Sequence, residues 1–394
     1  MLQGNASTAR GRLAKRLTLA TTLVAVSALL VSCSPPAGQE TDQGSSDVQF
    51  DEASLKKAQE SVDSWTAVPT FQGPDTPIDM TKVTGKKVYL VAYDLSNDFN
   101  KRVADAFAEA ADLAGVQSVI LSSGNDSALA TSYINQAISD GAAGIALLSV
   151  GNEQVPTAIQ AAADAGIPVI TLAQTSASED PGPGIVNQAN VNSKAIGAAQ
   201  IDLAYLTSGE SLNAIGYGTL VLPQDASQLE GQKERIAELC ESCKYTSNDV
   251  NLNTFQTDLP NTVRSAVTAD SGVNWILPSW DVLGTYALAG IDQAGASSRV
   301  QVSTWNGIPA AMELVKKGDQ AGTFGVPLRW WGWASFDLLA RYIAGEDLEP
   351  DAAKIPARLF TEEVLADVDD LSSESALYED DAVFDTYKEL WGIK

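Results

Sequence analysis

The segment that decides the fold opens with KKVYLVAY at Lys86–Tyr93. This apolar run predicts a buried strand, and the spacing after it predicts an amphipathic helix over Asn97–Ala114. Two more short apolar strands, Ser118–Ser123 and Gly144–Val150, are each followed by an Ala-rich helical stretch. In AGIPVITL, at Ala165–Leu172, a glycine ends one helix and a proline opens a fourth strand. Strands and helices that alternate in this way predict an α/β fold with a parallel sheet covered on both faces.

A second series of the same kind follows, from a helix at Ser193–Leu206 to a helix at Trp331–Ala344. An edge strand at Ile185–Val191 separates the two series. Strands are expected in the second series at Ala214–Val221, Tyr245–Asn251, Asn274–Leu277, Val300–Thr304 and Gly322–Val326. We therefore expect two doubly wound parallel-sheet lobes, joined by a hinge at crossings near Gln174–Asn187 and Val326–Trp330. Ligands of such sheets bind beyond the carboxyl ends of the strands, so a ligand cleft should lie between the lobes.

The N-terminal residues 1–32 have the pattern of a secretory signal. An apolar run, Leu17–Val31, follows four basic residues: Arg10, Arg12, Lys15 and Arg16. Cys33 comes directly after it and resembles the lipidated cysteine of a bacterial lipobox. That resemblance implies an exported protein, anchored by lipid to the outer face of the cytoplasmic membrane. The alternative is a single membrane anchor with a chance cysteine, although the apolar run is near the short limit for a span.

The remaining chain divides by composition and by the expected elements. Residues 33–49 are rich in Pro, Gly, Ser and Gln and predict a flexible tether. The further divisions are a lead helix and extended segment (50–84), lobe 1 (85–187 plus 327–350), lobe 2 (188–326 plus 351–365) and an acidic C-terminal extension (366–394). The acidic patches of that extension are expected to solvate a surface.

Charge and composition exclude several classes of function. The whole chain has a net charge of −25, and without residues 1–32 it has 21 basic and 50 acidic residues. So acidic a chain argues against nucleic-acid binding. The chain has no histidine, which excludes histidine-based catalysis and histidine metal ligands. It also has no nucleophile elbow, P-loop or dinucleotide fingerprint, so we expect no enzyme activity, no cofactor and no metal.

Cys240 and Cys243 form a C-x-x-C pair, which can be a redox centre, half of a zinc site or a disulfide. A complete zinc site cannot be assembled without a second pair or a histidine. Redox motifs of this spacing usually open a helix, whereas this pair follows the end of a helix expected at Ser227–Leu239. In an exported protein, a structural disulfide is favoured.

Several motifs together resemble the periplasmic-binding-protein type I family, of the ribose-binding type. They are GKKV at Gly85–Val88, SNDF at Ser96–Phe99, AGIPVI at Ala165–Ile170, VSTWNG at Val302–Gly307 and GTF at Gly322–Phe324. The resemblance implies a monomeric, lipid-anchored binding component of a sugar ABC importer, which delivers a small neutral carbohydrate or polyol to permease subunits. A sensory binding protein, which passes a sugar-like signal to a membrane receptor, is the alternative.

The expected ligand contacts are read from the strand ends and from the family pattern. They are Asp94, Asn97, Phe99, Asn100, Gln174, Gln228, Glu230, Trp280, Asp281, Trp305, Asn306, Arg329 and Trp330. Asn97 fits a helix N-cap as well as it fits a contact. The family's Asp-Arg pair after the fourth strand is replaced here by Ala173-Gln174.

The tryptophans favour a neutral ligand, because a sugar ring presents C–H faces that stack on indole. Trp280 and Trp305 stand at strand ends and are expected in the cleft. Trp331 and Trp333 stand in or near a helix and are expected in the core. Such a cluster can also form a cage for a cation.

Overall fold

The computed structural model describes residues 48–177 and 179–393, and the element bounds below refer to these residues. The predicted signal segment, Cys33 and most of the tether lie outside them. Within the described ranges, no helix is long and apolar enough to cross a bilayer.

The first lobe is built on a five-stranded parallel sheet in the order β2-β1-β3-β4-β5. Its strands are β1 (Lys87–Ala92), β2 (Gln117–Ser122), β3 (Gly144–Leu148), β4 (Val169–Leu172) and β5 (Asn187–Ala189). The helices between them are α2 (Asp98–Leu113), α3 (Ser127–Ser139) and α4 (Pro156–Asp164). β1 and β3 are buried almost throughout, because helices cover both faces of the sheet.

The second lobe is built on a six-stranded sheet in the order β11-β10-β9-β8-β6-β7. Its strands are β6 (Asn213–Gly218), β7 (Lys244–Asp249), β8 (Trp275–Pro278), β9 (Gln301–Asn306), β10 (Gly322–Gly325) and β11 (Arg358–Phe360). Among the strand pairs of the described residues in this sheet, the β10–β11 pair alone is antiparallel. The helices are α5 (Ser193–Ser208), α6 (Pro223–Leu239), α7 (Phe255–Ala269), α8 (Asp281–Gln293) and α9 (Pro309–Lys316). The predicted two-lobed α/β fold is confirmed.

The chain passes between the lobes at residues 190–192, 326–327 and 345–357. β5 belongs to the first sheet, so the first crossing follows Ala189 instead of lying within the expected Gln174–Asn187. The second crossing leads into α10 (Leu328–Ala344), which packs on α2 and on the first sheet. α10 begins at Leu328 because Pro327 is tolerated at the N-cap, so the predicted start at Trp331 was too late.

The two flanking segments pack against both lobes. Helix α1 (Glu52–Thr66) is capped by Asp51 and lies on α5 of the second lobe. The C-terminal segment contains α11 (Glu362–Leu365), α12 (Glu374–Tyr378) and α13 (Asp381–Leu390). Most of its acidic residues are exposed, as expected of residues that solvate a surface, and they alternate with buried apolar ones that pack against the lobes. The buried residues are Leu371, Leu377, Tyr378, Val383, Phe384, Tyr387, Leu390 and Trp391.

Candidate functional site

Each sheet has one point at which the strand order reverses. β1 lies between β2 and β3, and β6 lies between β7 and β8. Consecutive helices therefore leave in opposite directions and open a crevice beyond the carboxyl ends of these strands. The side chains just after β1, β6 and β8 are the ones placed to contact a ligand.

A cavity of about 290 Å³ is lined by residues from both lobes. The first lobe contributes the start of α2, and the second lobe contributes the ends of β8 and β9. The hinge crossing and the C-terminal segment close the remaining sides. The lining residues are Asn97, Asp98, Phe99, Arg102, Trp280, Val282, Asn306, Gly307, Ile308, Pro309, Met312, Val326, Leu328, Leu371, Ser372, Glu374, Leu377 and Tyr378.

On the first lobe, Asn97 both caps a helix and lines this cavity. Its Oδ1 accepts the backbone N–H groups of Phe99 (2.9 Å) and Asn100 (3.4 Å), which satisfies the start of α2. The Phe99 ring meets the Trp331 ring edge-on, at 5.4 Å between centroids. Trp331 is fully buried, and its Nε1 donates to the carbonyl of Ala189 at 2.6 Å. A core tryptophan therefore holds the cavity-lining phenylalanine in place.

On the second lobe, Trp280 lies at the junction of β8 and α8 and presents a half-buried ring to the cavity. Its Nε1 donates to Oδ2 of Asp225 at 3.1 Å, and Phe255 meets its ring edge-on at 5.5 Å. The indole is thus fixed on two sides, which leaves a preorganised aromatic wall.

Asn306 ends β9 with a φ of 122°, a conformation that costs energy for a residue with a side chain. Its Oδ1 is buried and has no hydrogen-bond partner in the described part of the chain. The next residue must be glycine, because a Cβ on Gly307 would lie 2.3 Å from Cα of Gly325. The strained backbone thus places an unpaired amide oxygen beside the cavity.

Asp225, in the first turn of α6, escaped the sequence analysis. It is fully buried, and Oδ2 accepts from the backbone N–H of Thr219 (2.9 Å) and from Trp280. Burial raises the pKa of its carboxyl to about 7. The sequence predicts a helix from Ser227, four residues late, which leaves Asp225 outside it; Pro223 in the first turn starts the helix earlier.

A group of buried oxygens near the switch point of the second lobe has no hydrogen-bond partner among the described residues. It comprises the hydroxyls of Tyr217, Thr219 and Ser227, whereas the Ser279 side chain is hydrogen-bonded to Asp225. Buried polar groups nearly always bind protein, water or a ligand. This end of the sheet therefore has hydrogen-bonding capacity left for bound molecules.

The structure corrects the expectation for Asp281. Its Oδ1 accepts from the hydroxyls of Thr304 and Thr323, and Oδ2 accepts from the N–H of Ile308 at 2.8 Å. Burial raises the pKa of this carboxyl to about 6. Because protein donors already use both oxygens, Asp281 fixes the loop after β9 and does not face the cavity.

Four further expected contacts lie near strand ends or helix starts and do not line this cavity. Asn100 donates to the carbonyl of Asp94 (3.0 Å) and accepts from Ser149 (2.8 Å). The carboxylate of Asp94 accepts from Ser96, which lowers its pKa. Gln228 donates to Gln200 at 2.8 Å. The backbone N–H of Gln174 donates to Asn190 at 3.2 Å.

The two charged expectations were wrong, because both side chains form exposed ion pairs. Glu230 lies on the outer side of α6 and pairs with Lys194 at 3.3 Å. Arg329 pairs with Glu109 at 2.7 Å and lies over the ring of Phe384 at 4.0 Å. Arg329 turns away from the cavity because it is in the first turn of α10, which begins earlier than predicted.

Two of the expected cleft tryptophans are in the core. Trp305 is 2% exposed, inside β9, and Trp330 is 1% exposed, inside α10. Trp330 stacks on Phe71 at 6.5 Å between centroids. Neither indole lines the cavity. Since β9 continues to Asn306 and α10 starts at Leu328, both side chains fall on buried faces.

Cys240 and Cys243 are joined by a disulfide, with an S–S distance of 1.99 Å. The pair closes the end of α6 and does not line the cavity. In the described part of the chain, no group of three or more His, Cys, Asp or Glu residues is arranged to hold a metal ion.

Several solved structures with the same fold are solute-binding proteins or sugar-transport proteins. One is a periplasmic ribose ABC transporter protein from Conexibacter woesei, 20% identical, covering 73% of this chain and 95% of that chain, with a TM-score of 0.64. A 5-methylthioribose transporter solute-binding protein from Thermotoga lettingae is 16% identical. The match covers 80% of this chain and 98% of that chain, with a TM-score of 0.65. An ABC transporter solute-binding protein from Bacillus halodurans with bound myo-inositol is 20% identical. The match covers 72% of this chain and 96% of that chain, with a TM-score of 0.61.

No curated protein sequence matches the chain. The model of the periplasmic binding protein domain matches residues 88–347, which is more than half of the chain. The match begins within β1 and ends just after α10. It includes the other strands of both sheets except β11. The chain therefore belongs to the periplasmic binding protein domain family, whose members are solute-binding proteins and not enzymes.

Proposed function

We propose that this protein captures a small neutral carbohydrate or polyol between its lobes and delivers it to the permease of an ABC importer. One observation carries the proposal: Phe99 of the first lobe and Trp280 of the second line the same cavity, with the amides of Asn97 and Asn306 beside them. Aromatic faces suit the C–H surfaces of a sugar, and amides bond its hydroxyls. The ribose, 5-methylthioribose and myo-inositol named for the structural neighbours support this class of ligand.

A ligand between the lobes favours the closed arrangement only through its better contacts there. The three crossings at 190–192, 326–327 and 345–357 are the segments that would bend. The permease would then recognise the closed form.

We further propose that Cys33 carries the lipid that holds the protein at the membrane surface. More than one acyl chain is needed for stable anchoring, and a modified cysteine of the lipobox type supplies them. Metabolic labelling with a fatty acid should mark the parent protein and leave a Cys33→Ser variant unlabelled.

A thermal-shift screen of the purified protein tests the ligand class. The panel contains sugars, polyols, nucleosides and amines, so that a cationic ligand is also detected. A compound present at a hundred times its dissociation constant should add about 2.7 kcal/mol to the free energy of unfolding. Stabilisation by amines alone, or by none of the panel, would contradict the proposal.

Delivery is tested separately in cells. Deletion of the gene should abolish uptake of the radiolabelled compound found in the screen, and the reintroduced gene should restore it. Normal uptake in the deletion strain would contradict a role in import.

A further inference from the structure

The C-terminal segment, residues 366–393, packs against both lobes. Its first part belongs to the second lobe, because Leu371, Leu377 and Tyr378 are buried with Met312 and Val315 of α9. Nζ of Lys316, at the end of α9, also donates to the carbonyl of Val368 at 2.5 Å. The apolar side chains of this part therefore pack on the second lobe.

The second part of the segment is held by the first lobe. Phe384 and Trp391 of this part lie 5.0 and 5.3 Å from the ring of Trp333 in α10, measured between centroids. Nε1 of Trp391 donates to Oδ1 of Asp337 at 2.7 Å. The segment thus bridges the lobes on one side of the hinge.

The residues of the first attachment also form one wall of the interlobe cavity. Leu371, Leu377 and Tyr378 line it and are each less than a tenth exposed. Three more apolar residues line the same cavity: Met312, Val326 and Leu328. This wall contributes surface that a ligand can cover without losing hydrogen bonds to water.

The charges at this wall are already paired. Arg102 forms an ion pair with Glu374, and Oε2 of Glu374 also accepts the backbone N–H of Arg329 at 2.8 Å. A polar ligand group placed against this wall would therefore meet an ion pair that is already formed. The other polar side chains that line the cavity are Asn97, Asp98, Asn306 and Ser372, and Tyr378 carries a phenol.

We infer that the ligand is a carbohydrate with an apolar substituent, its hydroxyls bound by Asn97 and Asn306 and its substituent packed on Leu371, Leu377 and Tyr378. The inference rests on the proposed function and narrows it, since an unsubstituted sugar would leave this apolar wall unused. A substituent that fills an apolar pocket is commonly worth tenfold or more in affinity.

Calorimetric titration of the full chain with ribose and 5-methylthioribose tests the inference, with myo-inositol and allitol alongside. The first two probes differ only in a methylthio group that replaces a hydroxyl. The parent protein should bind 5-methylthioribose at least about tenfold more tightly than ribose. Leu377→Ala should reduce that preference several-fold. Leu365→Ala is the matched control, because Leu365 is in the same buried cluster but does not line the cavity.

Each outcome decides the matter. If ribose, myo-inositol or allitol binds as tightly as 5-methylthioribose, the inference is wrong and the proposed function stands. If both leucine variants keep the full preference, the wall is not where the substituent packs, and the inference is again wrong. If none of the four probes binds, the inference is wrong as stated, and the carbohydrate proposal is decided by the wider thermal-shift panel. Should Leu377→Ala not fold, Val326→Thr, which puts a hydroxyl into the same wall, replaces it.

Discussion

Nε1 of Trp280 donates a hydrogen bond to Oδ2 of Asp225 across 3.1 Å. The bond joins the end of β8 to the first turn of α6, on either side of the switch point of the second sheet. It holds the cavity-lining indole and also gives a buried carboxylate one of its donors. The two residues should therefore respond together to substitution and to pH.

Trp280→Phe keeps an aromatic ring and removes this donor. The loss of a hydrogen bond to a buried charged group should cost about 1–3 kcal/mol in the free energy of unfolding at pH 8, where Asp225 is ionised. At pH 5 the carboxyl is protonated and the cost should be smaller. Urea unfolding at both pH values measures it. The control is Trp305→Phe, because Nε1 of Trp305 has no partner in the described residues and its loss should not depend on pH.

Asp225→Asn should change how stability depends on pH. The pKa of Asp225 is raised from 3.8 to about 7 in the folded protein. The associated stability is fully present below pH 3.8 and is lost as the pH rises through 7. Between pH 5 and pH 8, the free energy of unfolding of the parent should therefore fall by about 3 kcal/mol more than that of Asp225→Asn. Unfolding curves at intervals of one pH unit measure this difference, and parallel pH profiles for the two proteins would show that Asp225 is not buried as described.

Asp337 and Arg341 form a fully buried ion pair in α10, with 2.8 Å between Nε and Oδ2. Asp337→Asn leaves the guanidinium with the partly exposed Glu346 as its remaining anionic partner and should cost about 3 kcal/mol of stability. Glu346→Gln is the control, because Glu346 pairs with the same guanidinium but its side chain is 29% exposed. In equilibrium unfolding, Glu346→Gln should lower the free energy of unfolding by clearly less than Asp337→Asn does. Equal losses of stability in the two variants would mean that the burial of Asp337 does not determine the cost of breaking its ion pair.

The disulfide between Cys240 and Cys243 closes a very short loop. Loop-closure entropy predicts that the double change Cys240→Ser and Cys243→Ser costs no more than about 2 kcal/mol. Neither cysteine lines the cavity, so the affinity for any carbohydrate of the panel should not change. Unfolding and calorimetry of the same preparation test both statements, and weaker sugar binding by the variant would contradict the second.

The strand-and-helix order was predictable because the sheets are parallel and buried. Apolar runs such as KKVYLVAY and AGIPVITL indicate the buried strands directly. The positions just after the strands then indicated four site residues: Asn97, Phe99, Trp280 and Asn306. These four residues meet in one cavity.

The missed features depend on helix starts and on contacts between distant residues. Prolines allowed α6 and α10 to begin earlier than expected, which moved Asp225 into the second lobe's crevice and Arg329 out to the surface. The partners of Asp281 come from two other strands, and no local pattern indicates them. In the C-terminal segment, the many acidic residues obscured the apolar face that packs against both lobes.

The most direct test of carbohydrate binding between the lobes is a calorimetric comparison of three proteins: the parent, Phe99→Ala and Trp280→Ala. The titrant is the compound of the carbohydrate panel that stabilises the parent most. Because the two rings belong to different lobes and line one cavity, each substitution should weaken binding at least about tenfold while the protein still unfolds cooperatively. Unchanged affinity in either variant would contradict a ligand held between the lobes.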